Sequence, residues 1–247
     1  MCKVFDELAT KYDIAYVADS GTLLGIVRHG GFIAWDDDAD VELLLGEEAK
    51  LANPELLRDL AIQGLKLVPH WGGWKLCPIE YPAFAHRYER GSDTSRWFCW
   101  PFVDIFVAKV DPEYPDRIIA DVRANMVDVS YGDRWRETEY YTRDQLEGEL
   151  TKMPFGPIAL PVPKNPEAYL DRAYCNWRHE IRCSYDHRRD TSIDPPIVVS
   201  GLQFRPAPFD HAIFEAKERC TWPQRVFRLC ESVMRSLARL QNECIFP

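Results

Sequence analysis

The sequence predicts an α+β domain, a mixed central sheet flanked by helices with a helical C-terminal extension, and three observations predict it. Stretches with apolar residues at helical spacing alternate with short apolar runs. Glycine and proline clusters separate the two kinds of segment. One apolar run, Phe102 to Val110, carries a lone carboxylate, Asp104, near its start, the mark of a buried strand that also serves a site.

The elements follow in order. Val4, Phe5, Leu8 and Tyr12 recur as on a helix face, and Ile14 to Ala18 is a short strand that ends at Asp19, Ser20 and Gly21. A glycine-rich segment then holds Gly25, Gly30 and Gly31 with Arg28 and His29 between them, and Trp35 begins an acidic, strand-like run to Leu45. Asn53 and Pro54 sit as cap and first turn of a helix that reaches Leu65. Leu65 to Val68 and Trp74 to Ile79 read as paired strands around a Gly72-Gly73 turn. Thr142 and Gln145 form a capping box, and the proline-dense stretch from Pro154 to Pro163 predicts an extended crossing. A helix capped by Asn165 follows, through Tyr169 and Tyr174. Asp190 to Asp210 reads as a loop-rich connection, and Val226, Leu229, Val233, Leu237 and Leu240 as the apolar stripe of a last helix. The pattern is that of one α/β-type domain with a helical appendage.

The 247 residues, 46% apolar, suffice for one large core. A net charge of −9 excludes non-specific binding to nucleic acid, whose phosphates demand a positive face. The eight cysteines lack C-x-x-C pairs, so free thiols are expected. No secretory leader is seen and no stretch approaches the roughly 18 apolar residues of a spanning helix, so the expected location is cytoplasmic. Arginines beside the final apolar stripe leave a peripheral membrane contact open, with a solvated helix face as the favoured reading.

The chemistry lies in the acids. On a strand, Asp36, Asp38 and Asp40 would share one face, with Asp37 opposite. Like charges held so close need a cation, and oxygen ligands favour a hard one, Mg²⁺ or Mn²⁺. Asp104, costly to bury alone, supplies a ligand from a second strand. The plainer alternative is an acidic turn and a surface aspartate. Ser20, Gly21 and Thr22, directly after a strand, can offer backbone N–H and hydroxyl groups to phosphate, and Arg28 and His29 could add contacts to the same anion. Lys75 could project a cation toward a diphosphate, against the commoner reading of a solvated lysine. Trp71, Trp74, Trp97 and Trp100 could stack on a base, although core packing is the stronger reading of each.

The run DSGTLLGIVRHGGFIAWDDDADV from Asp19 to Val41 resembles the signature of the LicD family, which includes the fukutin-related proteins. WPFVDIF at Trp100 to Phe106 and PVPKNPEAYLDRAY at Pro161 to Tyr174 are similar to later blocks of that family. The resemblance covers roughly residues 1–180, read as a catalytic domain with residues 181–247 as an extension. It implies a nucleotidyltransferase-like fold with Ser20-Gly21 as its small-residue turn and Asp38, Asp40 and Asp104 as metal ligands; Asp36, a carboxylate left free, is the candidate that aids deprotonation of the acceptor hydroxyl. It implies transfer of phosphocholine, or of a phosphoalditol such as phosphoribitol, from a CDP-activated donor to a glycan or glycolipid hydroxyl, with release of CMP. A nucleotidyltransferase and a non-catalytic binding protein are the alternatives. Ser20 stands where the family commonly has glycine, Ala34 where it has proline, and Cys175 where it has glycine.

Overall fold

The computed structural model describes residues 1–33, 36, 38–70, 73–80, 84–86, 96–98, 101–121, 136–186 and 191–200. The chain enters on α1 (Cys2–Lys11), whose Phe5 and Ala9 turn into the core, and passes through Asp13, at φ 52°, into β1 (Tyr16–Ala18). Helix α2 (Ser20–His29) follows after a single residue and stops at Gly30, whose left-handed φ of 66° closes it. Strand β2 (Ala39–Leu43) leads through a 3₁₀ turn (Glu47–Ala52) to α3 (Pro54–Ile62), where Asn53 Oδ1 accepts the Glu55 N–H at 2.9 Å. Strands β3 (Leu65–His70) and β4 (Gly73–Pro78) make the expected hairpin. After the short pair β5 (Phe84–His86) and β6 (Arg96–Phe98) comes β7 (Val103–Val110), the centre of the sheet.

The main sheet runs β1-β2-β7-β4-β3, with β8 (Arg117–Ala120) on the far end of β7 and β9 (Tyr141–Thr142) beyond β8. Strands β2 and β7 are parallel, and β1 with β2 and β4 with β7 are antiparallel, so the sheet is mixed, as the sequence predicts. Period-two alternation then assigns the faces. Ala39, Val41, Leu43, Val103, Ile105, Val107 and Leu76 pack on α1 and α3. Each large member buried there contributes about 1.5–3 kcal/mol, which holds β2, β4 and β7 in register whatever stands on the opposite face. On that face α2 lies over the sheet beside a second cluster that includes Leu23, Ile26, Tyr141, Leu160, Tyr169 and Leu170.

That cluster draws on the later elements, a single-turn helix α4 (Arg143–Leu146), the hairpin β10 (Lys152–Phe155) and β11 (Ile158–Pro161), and α5 (Pro166–Ala173). The capping box is present, with the Thr142 N–H on Gln145 Oε1 at 3.0 Å. Three expectations change. The acidic strand starts at Ala39, not Trp35, because its neighbours offer no pairing before Ala39, which is opposite the first residue of β7. Residues 191–200 are a strand, β13 (Thr191–Ser200), paired with β12 (Glu180–Asp186). Its register jumps between Cys183↔Ile197 and Tyr185↔Ser192, so Pro195 and Pro196 fall in the irregularity, where no ladder N–H is required of them. Cys77, fully buried, is disulfide-bonded and not the free thiol expected. No helix among the described residues is long and apolar enough to cross a membrane. The expected C-terminal helix, Asp37 and the aromatic candidates Trp71 and Trp100 lie outside the described residues.

Candidate active site

Three strands build the site in a row. Asp40 on β2 is opposite Asp104 on β7, and Asp104 is opposite Lys75 on β4. Their side chains share the face turned away from α1 and α3. Asp38, in the loop that enters β2, completes a group in which ligand oxygens of Asp38, Asp40 and Asp104 all lie within 4.8 Å of one another. Asp36 joins them from the same loop: a Cβ built on Gly21 would come 3.0 Å from Asp36 Oδ2 and 3.7 Å from Asp40 Oδ2. The first turn of α2 therefore touches the acids, and glycine there leaves room for two carboxylates.

This crowding has an electrostatic signature. Burial first, and then the charges of Asp38, Asp104, Asp36 and Asp19, raise the Asp40 carboxyl well above the ordinary aspartate range. Five acids thus act on one another, and among the described residues Lys75 stands beside them as a cation. Lys75 is buried, its Nζ 2.6 Å from Asp104 Oδ1 and 3.2 Å from the centroid of the Phe102 ring. The solvated-lysine reading fails because β4 lies inside the sheet. A hard divalent ion fits this donor set: the oxygens are close, carboxylate in kind and partly protected from water, and a cation would offset the mutual repulsion that raises Asp40.

Ser20, Gly21 and Thr22 form the first turn of α2, not a loop. Ser20 has φ 46°, the left-handed conformation in which glycine carries no steric cost and another residue loses about 1–2 kcal/mol, so the family's usual glycine at this place has a local reason. Thr22 Oγ1 accepts the Asp40 N–H at 2.8 Å. Arg28 and His29 stand at the other end of α2. The buried Arg28 guanidinium donates through Nη1 to the carbonyls of Trp177 and Glu180, each at 2.6 Å, and through Nε to His29 Nε2 at 3.0 Å. It fastens the turn after α5 to α2, a use of its charge different from the expected anion contact. Trp74 packs on the opposite face of the sheet.

Burial and then the Arg28 charge lower the His29 pKa to about 4. The unfolded chain takes up this proton near the ordinary value of about 6.5, and the folded chain refuses it. Its contribution to stability is complete above pH 6.5 and is lost as pH falls toward 4. Urea midpoints at pH 7 and pH 4.5 should therefore separate more for the wild type than for His29→Gln, and equal separations would show that His29 titrates normally.

Sequence reading missed the residues behind the acids. Asp19, read only as the end of a strand, is fully buried, and Tyr141 donates to its Oδ1 at 2.7 Å. The Tyr174 hydroxyl is raised by burial and by the charges of Glu139, Asp40, Asp19 and Asp36. Glu42 is buried two residues beyond Asp40. No local pattern marks Tyr141 or Tyr174, since each meets the acids only through the tertiary fold.

Residues 13–165 match the family described as LicD/FKTN/FKRP, nucleotidyltransferase domain. Over 171 residues, 69% of this chain, the sequence is 29% identical to an uncharacterized protein of Rickettsia prowazekii and 52% identical to one of Rickettsia typhi, covering 51% and 43% of those proteins. A 37-residue stretch, 15% of this chain and 14% of the relative, is 54% identical to the lipopolysaccharide cholinephosphotransferase LicD of Haemophilus influenzae. The chain thus spans about half the length of the Rickettsia relatives. The matched region contains the acidic row, the first turn of α2 and Lys75 together, and the chain belongs to the LicD family.

Proposed function

We propose that this chain transfers a phosphoryl-linked group, phosphocholine or a phosphoalditol such as phosphoribitol, from a CDP-activated donor to a glycan or glycolipid hydroxyl. The observation that carries the reading is the meeting of Asp38, Asp40 and Asp104 within 4.8 Å beside a helix N-terminus. Asp38, Asp40 and Asp104 would hold Mg²⁺ or Mn²⁺, which when bound supplies charge to offset that on the donor diphosphate. Ser20, Gly21 and Thr22 present the positive end of α2 to the same diphosphate, and Lys75 offers its ammonium beside Asp104. Asp36 accepts the proton of the acceptor hydroxyl. The acceptor oxygen forms a bond to the phosphorus that bears the headgroup, the phosphoanhydride bond breaks, and CMP departs with the electron pair. Arg28 and His29 contribute by fixing the far end of α2.

Because the matched domain is described as a nucleotidyltransferase domain, attack at the other phosphorus is the second reading, and the released product separates the two. Purified protein incubated with CDP-choline, CDP-ribitol or CDP-glycerol in Mg²⁺ or Mn²⁺ should release CMP from one donor, with release lost in Asp38→Ala and on chelation. Release of the phosphorylated headgroup in place of CMP would support nucleotidyl transfer. Absence of both, with no metal-dependent binding of CDP, would favour a binding protein.

A further inference from the structure

Asp19 occupies the N-cap position of α2, yet its side chain makes no capping bond to the helix. It is fully buried, with Oδ1 accepting from the Tyr141 hydroxyl at 2.7 Å and Oδ2 from the Ser20 hydroxyl at 3.1 Å. A buried carboxylate that leaves its own helix uncapped requires another account. The backbone supplies one. The Asp19 N–H donates to the Asp40 carbonyl at 3.1 Å, and Thr22 Oγ1 accepts the Asp40 N–H at 2.8 Å. The Asp19–Thr22 turn therefore grips Asp40 at both its N–H and its carbonyl. That turn contains the left-handed Ser20, a conformation that persists only where its surroundings impose it.

Tyr141 reaches that turn through its bond to Asp19. It has no exposed surface, stacks on Tyr169 of α5 with centroids 4.5 Å apart and planes at 17°, and belongs to β9, which carries none of the three acids. We propose that Tyr141 and Asp19 are positioning residues that set the orientation of Asp40, and through it the metal affinity of the cluster. This rests on the metal reading of Asp38, Asp40 and Asp104. Partners one shell behind a ligand characteristically change metal affinity by about 10–100-fold when removed. Burial, together with Asp19, Tyr169 and Glu42, keeps the phenol protonated and donating, in line with the geometry.

The test is Mn²⁺ affinity, measured from the paramagnetic resonance of the free ion in titrations of the full chain. The control is Tyr16→Phe, which deletes a phenol–carboxylate bond of the same length, to Asp6 Oδ1 at 2.7 Å, from another buried ring remote from the acids. Tyr141→Phe is expected to weaken Mn²⁺ binding about 10-fold, whereas Tyr16→Phe lowers the melting temperature and leaves the Mn²⁺ Kd unchanged. Thr22→Val should weaken binding and Thr22→Ser restore it, which keeps the test informative should Tyr141→Phe not fold. A Kd within about twofold of wild type in both Tyr141→Phe and Thr22→Val overturns the proposal, as does an equal loss in Tyr16→Phe. Failure of the wild type to bind Mn²⁺, or binding unaltered in Asp38→Ala, would instead overturn the metal reading itself.

Discussion

Asp40→Asn should make the metal-free protein more stable and the enzyme inactive. The Asp40 carboxyl is raised by burial and by four neighbouring acids, so the folded chain holds this proton more tightly than the unfolded chain. The sign follows: stability is greatest below the ordinary aspartate value and falls as pH rises through the folded one, so ionisation of the group opposes folding. A neutral amide of the same size removes that opposition, and melting without metal should rise by about 3 °C, the shift that roughly 1 kcal/mol gives in a chain of this length. The proposed transfer should fall by about 10³-fold, because on that reading an anionic ligand would be gone. Mg²⁺ near 100 times its Kd should protect the wild type by about 2.7 kcal/mol and leave the variant unchanged. The order of the two melting temperatures therefore reverses on adding metal. A variant less stable than wild type in chelator would show that the acids are not in mutual repulsion.

Gly73→Ala should be the most damaging single methyl on the sheet. A Cβ at Gly73 would stand 2.3 Å from the Ile105 carbonyl oxygen and 3.3 Å from the Phe106 Cα, both backbone atoms of β7 that cannot move aside as a side chain would. The methyl must push β4 off β7, and with it Lys75 off Asp104. The expected cost is about 3 kcal/mol or more, the upper range of overpacking, so the variant is expected to be insoluble or to melt far below wild type. Gly46→Ala is the matched control: its φ of 84° is unfavourable to alanine, yet nothing lies within 4 Å, so it should lose only about 1–2 kcal/mol. Equal melting temperatures for the two variants would contradict the close β4–β7 approach.

Local signals account for the parts of this fold that were legible. The Asn53 cap, the Thr142-Gln145 capping box and the β3–β4 hairpin each depend on a few adjacent residues, and each is present. Asp104 was conspicuous because one charge interrupts an apolar run, and Asp38 and Asp40 because acids crowd there. Alternation along a single strand was the wrong reason for grouping Asp36 and Asp38 with Asp40, since the strand begins only at Ala39 and a loop delivers the other two. Arg28 shows the opposite limit. Its place in a glycine-rich motif suggests a ligand, whereas its Nη1 partners are carbonyls of Trp177 and Glu180, far along the chain. Tyr141, Asp19 and the prolines of β13 gain their roles from partners distant in sequence, and no window of neighbouring residues contains that information.

The row of Asp40, Asp104 and Lys75 also bears on how the chain assembles. Asp40 and Asp104 become neighbours only when β2 and β7 pair in parallel, after α3 and the β3–β4 hairpin have been placed between them in sequence. Such non-local pairing has a high loop-closure cost and comes late in folding. Here the closing step also brings like charges together, so the region that gives the protein its chemistry is the one least able to nucleate its own formation. Helix α1, α3 and the β3–β4 hairpin, built from near neighbours, must supply the initial structure. Selection for a more acidic centre would thus act on the speed of folding as well as on metal binding.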